Sequence, residues 1–269
     1  MNPIVKFLSV FTLSLAAAPA MAVTFGQPDG DGHPHVGTLL FELPDGYFSC
    51  TGTLLSSTVM LTAGHCTEEG GVTNLNTWVK FTPDISIASG CTTRACLNAF
   101  LDNPANGWIR ADVFPHPGFD DFSQFPLTFD VGIAVLATPH VLPTYGELPP
   151  LGFLSSIKKA ADNSFTVVGY GLQGFIKPFA SDIWARYVGE TKLIELNSRT
   201  NGGQSAKFTN NPGTGGGTCF GDSGGPIFYK DTSVVVAVVS FGKTPCIGND
   251  FNFRVDIQTA QDFIEPFLE

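Results

Sequence analysis

The chain has 269 residues, of which 43% are hydrophobic and only 14% charged, a composition that excludes a disordered protein and allows one large core or two modest ones. Its formal charge of −10 leaves no basic footprint, which argues against nucleic acid as a partner. The six cysteines form an even set suited to an oxidising compartment, and their spacing alone does not choose the pairing.

The first element in chain order is an export signal. Lys6 precedes an apolar stretch, Phe7 to Ala18, that ends at the small-residue pattern Ala20-Met21-Ala22, the charge, length and cleavage chemistry of a secretory leader. About twelve apolar residues fall short of the roughly twenty that span a bilayer, so residues 1–22 are read as a signal peptide cut after Ala22, leaving no membrane anchor. Without Lys6 the mature chain carries 13 basic residues against 24 acidic ones, a formal charge of −11. His33 and His35 flank Pro34 with no matching Cys or acid cluster; they read as part of a turn rather than as metal ligands.

Short apolar stretches rich in Val, Ile, Phe and Thr then recur between Gly, Pro, Asn and Asp punctuation, as in Thr53–Thr62, Trp78–Phe81, Val131–Leu136, Phe165–Val168 and Val234–Ser240. This rhythm predicts an all-β protein of many short antiparallel strands. The segment Thr138–Gly152, with Pro139, Pro143, Pro149 and Pro150, reads as a connection between two halves. At the end, apolar residues at Ile257, Ala260, Phe263, Ile264 and Phe267 have helical spacing and predict a short terminal helix that Pro266 interrupts.

Three strings carry chemistry. Leu61-Thr62-Ala63-Gly64-His65-Cys66 sets a histidine at the end of a strand-like stretch. Phe129-Asp130-Val131-Gly132-Ile133-Ala134-Val135-Leu136 opens an apolar segment with an acid, which is costly to bury unless paired, and an imidazole N–H is a suitable partner. Gly221-Asp222-Ser223-Gly224-Gly225-Pro226 follows closely on Cys219. A serine hydroxyl attacks a carbonyl only when a base takes its proton, and the resulting oxyanion needs prearranged donors; glycines let a tight loop aim backbone N–H groups inward. The glycine-rich run Gly213–Gly225 lacks the Gly-Lys-Ser/Thr ending of a phosphate loop.

These strings, in the order His, Asp, Ser, resemble the catalytic motifs of the chymotrypsin/trypsin-like serine peptidases, and Asn252–Ile264 is similar to that family's closing strand and helix. Gly64 stands where many members have alanine. The resemblance implies two antiparallel six-stranded β-barrels with a short C-terminal helix, residues 23–143 carrying His65 and Asp130 and residues 144–269 carrying Ser223. It implies an oxyanion hole of the Gly221 and Ser223 N–H groups and pairing of Cys50 with Cys66 and Cys219 with Cys246, leaving Cys91 and Cys96 to pair with each other.

Two finer expectations follow from the resemblance. In the family the acid before the serine receives a new amino terminus, and Val23-Thr24-Phe25-Gly26 resembles the mature start; no Lys or Arg lies between Lys6 and Lys80, so signal removal itself is expected to free the Val23 amino group for Asp222. The substrate pocket is expected at Gly217, Thr218, Ser240, Phe241, Gly242 and Asp250. Gly217 occupies the place of the usual trypsin-like aspartate, and Asp250, on the opposite wall, is read either as an acid that attracts Lys or Arg or as an exposed loop residue. Phe241 replaces the commoner tryptophan of the edge segment that pairs with substrate backbone.

The expected protein is a secreted, extracellular or periplasmic, monomeric endopeptidase acting on peptide or protein substrates without metal or other cofactor. An esterase using the same site, or a binding protein that has lost catalysis, are the competing readings.

Overall fold

The computed structural model describes residues 23–85, 90–176, 179–181 and 184–269, with backbone alone for 174–176 and 179–181; the leader read in residues 1–22 lies outside them. Six strands close into a barrel: β1 (Val36–Leu43), β2 (Gly46–Leu54), β3 (Val59–Thr62), β4 (Asn76–Lys80), β5 (Ile109–Pro115) and β6 (Gly132–Leu136), in the order β1-β2-β3-β6-β5-β4. β3 and β6 pair antiparallel with Thr62 opposite Gly132, so the end of one strand and the beginning of the other meet at one rim. Gly132 is required there, because a β-carbon would stand 2.8 Å from Ala63 O.

The second unit is a sheet of eight strands. Its labelled members are β7 (Phe165–Gly169), β8 (Tyr187–Thr191), β9 (Leu193–Glu195), β10 (Ser205–Asn210), β11 (Pro226–Tyr229), β12 (Val235–Gly242) and β13 (Gly248–Arg254), ordered β8-β7-β11-β12-β13-β10-β9, with the two-residue strand Gln27–Pro28 outside β8. The sheet curls until its flanks touch, for Thr209 N donates to Lys192 O at 2.9 Å and Thr191 Oγ1 donates to Thr209 O at 2.7 Å. The all-β, two-barrel expectation therefore holds, with short strands added at both edges of the second unit. Val- and Phe-rich strands suit these surfaces because branched and aromatic side chains pack well on a pleat; Val235–Val239 and Phe165 are all buried.

One core cluster runs through both units, joining Leu39, Leu61 and Ile133 of the first to Val168, Phe228, Val238 and Phe253 of the second. Polar bonds fasten the same seam. Thr51 N donates to Ser223 O (2.8 Å), Thr51 Oγ1 donates to Gly221 O (2.8 Å), and Tyr170 N donates to Thr51 Oγ1 (3.1 Å). Arg186 is buried with Asp29 (2.7 Å) and also donates to Val36 O, Phe81 O and Gly30 O. Its charge is thus paired and hydrogen-bonded, the condition for burying an ion.

Local differences from the sequence reading have physical causes. Thr53–Thr62 is a tight hairpin rather than one strand, because Ser56 Oγ accepts from Val59 N (3.1 Å) and turns the chain between β2 and β3. The terminal helix α2 (Gln258–Ile264) passes into a single 3₁₀ turn, Glu265–Phe267, where Pro266 lacks the N–H to continue it. His33 stacks on Phe228 and bonds Asp29, while His35 is buried without a partner for its ring nitrogens among the described residues. Burial, helped by the charges of His33 and Arg186, pushes His35 down to about 4, so it packs as a neutral ring.

Candidate active site

His65 sits in a 3₁₀ turn, Gly64–Cys66, directly after β3, and Asp130 directly before β6. The strand register therefore brings them together. Asp130 is fully buried and accepts from His65 N at 2.9 Å, while His65 Nδ1 lies 3.0 and 2.9 Å from its two oxygens. Ser240 Oγ donates to the same carboxylate. Burial alone would raise the Asp130 pKa, but the His65 charge and these hydrogen bonds hold it below its usual value. An ionised Asp130 makes Nδ1 the protonated nitrogen of the ring and leaves Nε2 as acceptor. For His65 burial works against the charged form, yet the charge and bond of Asp130, with Glu69 and Asp121 more remotely, carry its pKa above 6.5.

Gly64 has a local reason as well. A β-carbon there would meet the Phe119 ring at 3.0 Å and Asp130 Oδ1 at 3.3 Å, so the smallest residue lets Phe119 pack against the turn.

Ser223 lies on a loop between Cys219 and β11. Gly224 (φ +80°) passes so close to β2 and β3 that a β-carbon would fall 2.3 Å from Thr51 O, and Gly221 (φ +97°) turns back against Gly171. Within this loop Asp222 N donates to Cys219 O, Gly224 N to Val239 O and Gly225 N to Asp222 O. Among the described residues no backbone acceptor takes the N–H of Gly221 or Ser223. Two open donors beside a serine are the arrangement that stabilises an oxyanion. Ser223 and His65 face one cleft of about 790 Å³; no hydrogen bond joins Ser223 Oγ to the ring among the described residues, as is common before substrate binds.

Of the predicted pocket, Thr218, Ser240, Phe241 and Gly242 line this cleft, whereas Gly217 and Asp250 lie behind it. Gly217 faces Asn210, whose side chain a β-carbon would approach to 2.3 Å. Asn210 lines the floor and donates to Thr218 O (2.6 Å). Asp250 is buried opposite Gly242 on β13 and accepts from Thr218 Oγ1 (2.6 Å) and Asn252 Nδ2 (2.9 Å). Burial outweighs these bonds and raises it to about 6. It is neither exposed nor paired with a cation among the described residues.

Asp222 is also buried. It accepts from Gly171 N and Cys219 N, both at 2.9 Å, and burial, with the nearby Asp250 charge, pushes it up to about 7. Val23, in this uncut chain, is buried against Gly189 and no bond joins it to Asp222. The disulfides are Cys50–Cys66, Cys91–Cys96 and Cys219–Cys246. Cys50, His65 and Cys66 lie close enough to suggest metal ligation, but both sulfurs are bonded to each other and offer no thiolate.

Among the cleft residues that sequence reasoning missed are Asn210, Phe122 and Phe220. Asn210 ends an ordinary strand and gives no signal. Phe122 has φ +62° and stands 6.0 Å from the His65 ring, centre to centre; its signal was the aromatic crowding of Phe119, Phe122 and Phe125 in the loop ahead of Asp130.

Two antiparallel β units, one presenting a histidine–carboxylate pair and the other a serine within a donor-lined loop, define the chymotrypsin-like class. The model of the protein family described as Trypsin matches residues 27–264, and the chain belongs to that family and is a serine endopeptidase. It is 26% identical over 228 residues to a trypsin of Saccharopolyspora erythraea, covering 81% of this chain and 86% of that one. It is 28% identical over 209 residues to kallikrein 1-related peptidase b21 of Mus musculus, covering 74% and 72%. The solved structure of HL collagenase superposes with a TM-score of 0.66 over 91% of this chain and 98% of that chain at 19% identity, a likeness of fold.

Proposed function

We propose that the chain is an exported endopeptidase in which Ser223, His65 and Asp130 form the catalytic triad. The observation that carries this reading is the His65 Nδ1–Asp130 pair at 2.9 Å facing, across one cleft, a serine whose loop keeps the Gly221 and Ser223 N–H groups open. Nε2 of His65 accepts the Ser223 proton as Oγ attacks the scissile carbonyl. The carbonyl oxygen takes the two N–H groups as it becomes an oxyanion, a donor pair in which each member contributes about 2.7–4 kcal/mol to the transition state. His65 then gives the proton to the leaving amine, and water, deprotonated by the same nitrogen, releases the acyl group.

Activation is proposed to need only signal removal. A buried carboxyl that meets no cation among the described residues, as in Asp222, is a vacancy for charge, and cleavage after Ala22 converts the Val23 amide into an ammonium able to fill it. Asp250 is proposed to favour Lys or Arg before the cut by acting through the Thr218 floor. The two barrels are read as residues 23–143 and 144–269, except that the strand Gln27–Pro28 pairs into the second sheet, and the mature protein as a secreted monomer that engages neither nucleic acid nor membrane; no helix among the described residues is long and apolar enough to cross one.

The test is labelling by a fluorophosphonate probe, followed by cleavage of a peptide library. Labelling of the wild type but not of Ser223→Ala, with internal peptide cleavage, is expected. Equal labelling of both, or no labelling of either, removes Ser223 from the mechanism, and hydrolysis of esters alone removes the peptidase reading.

A further inference from the structure

The cleft continues beyond Ser223. Its loop is held on one side by β12, where Gly224 N donates to Val239 O, and on the other by β2, where Thr51 N donates to Ser223 O, both at 2.8 Å. The substrate-pairing segment Ser240–Gly242 lies on the β12 side. From the β2 side the cleft follows the β1–β2 hairpin past Phe48 to Leu40 and Phe41, and Leu97 and Trp184 wall it there.

Leu97 belongs to α1 (Arg94–Leu101), and the helix is tied to the hairpin by its polar side chains. The Cys91–Cys96 disulfide closes its entry. Tyr47 Oη donates to Asn98 Oδ1 (2.6 Å), Asn98 Nδ2 donates to the buried Glu42 (3.1 Å), and Arg94 donates to Leu43 O (2.9 Å) and Pro44 O (2.6 Å). With its polar groups so occupied, the helix sets Leu97, together with Trp184, against the Leu40–Trp78 cluster. Leu97 is half-buried, and Phe48 remains 40% exposed at the mouth of the same groove. A rigidly mounted apolar wall beside the nucleophile has uncovered surface that only an apolar group covers favourably.

We infer that this wall is a specificity site for the leaving-group half of the peptide, selecting a large aliphatic or aromatic side chain at one of the first two positions after the scissile bond. The inference rests on Ser223 being the nucleophile, since that fixes which end of the cleft receives the leaving group. The occupant is the substrate itself: the groove is continuous with the catalytic cleft, and an extended chain leaving Ser223 away from Ser240–Gly242 runs along it.

The test uses internally quenched peptides identical up to the cut and carrying Leu, Phe, Ser or Asp at the first two positions after it, assayed with wild type, Leu97→Ala and Phe48→Ala. Within each enzyme the ratio of kcat/KM for Leu over Ser cancels any change in the chemical machinery. Wild type is expected to prefer Leu or Phe over Ser and Asp by roughly tenfold or more, and each variant to shrink that ratio severalfold. A wild-type ratio near one, or a ratio unchanged in both variants, overturns the inference. Fluorophosphonate labelling and turnover of an anilide substrate with nothing after the cut are followed in parallel. If these persist while the ratio is flat, only the wall fails; if they are absent, the assignment of Ser223 fails first. Phe48 is exposed, so Phe48→Ala keeps the test open should Leu97→Ala not fold.

Discussion

Consider the replacement of Asp250 by asparagine, followed as the ratio of kcat/KM for peptides with Arg against Gln before the cut, between pH 4.5 and 8. In the proposed mechanism both substrates need His65 in the same protonation state, so the ratio cancels its titration and isolates the charge on Asp250. Burial raises that carboxyl to about 6, so below about 6 it is neutral and gives an arginine no advantage, and above about 6 it is ionised and attracts. Two unit charges about 6 Å apart at an effective dielectric near 20 interact by about 2.8 kcal/mol, or about a hundredfold in the ratio. The wild-type ratio should thus climb steeply as pH rises through about 6, while Asp250→Asn, with Thr218 and Asn252 still able to bond the amide, gives a low, flat line. A flat wild-type profile, or a climb that survives Asp250→Asn, would refute the charged floor.

Other outcomes follow from the same geometry. Because Asp130 holds the His65 pKa above 6.5 and the proposed mechanism needs the neutral ring, kcat/KM should fall as pH drops through a value above 6.5; a pH–rate profile flat from pH 5 to 8 contradicts this. Thr51→Val removes the hydroxyl that bonds Gly221 O and Tyr170 N, and leaving that carbonyl unpaired costs about 1–3 kcal/mol; the rate of serine phosphonylation by a fluorophosphonate, with loss of fluoride, should fall by a larger factor than KM for a peptide rises. In the uncut chain the neutral form of Asp222 is favoured by the fold, its pKa lying at about 7 against 3.8. Stability is therefore full below about pH 4 and is lost as pH rises to about 7, by up to about 4 kcal/mol. Cleaving Ser223→Ala after Ala22 should abolish that slope in the melting temperature, and equal slopes before and after cleavage would dismiss the Val23–Asp222 pair.

What could be read from the sequence was what demands special local chemistry. The serine loop needs glycine at 221 and 224 because backbone and side chains of other strands stand within contact distance, and such demands leave a compact string. Asp130 was legible because an acid opening an apolar strand must find a partner. Asn210 and Leu97 were not, since each acquires its place from residues far away in the chain, Thr24 for one and the Tyr47 hairpin for the other. The hairpin inside Thr53–Thr62 was hidden because two serines made a turn where hydrophobic neighbours suggested continuity.

The grip of Thr51 on Gly221 and Ser223 has a wider consequence. In the proposed triad the first barrel supplies the base, and the same barrel holds the Ser223 loop through Thr51, although that loop belongs to the second. On that proposal neither half carries a finished hydrolytic centre, and any strain that pries the halves apart, from a distant substitution or a wedged inhibitor, should silence turnover well before the protein melts. In this molecule turnover is a gauge of how firmly two folded halves hold each other.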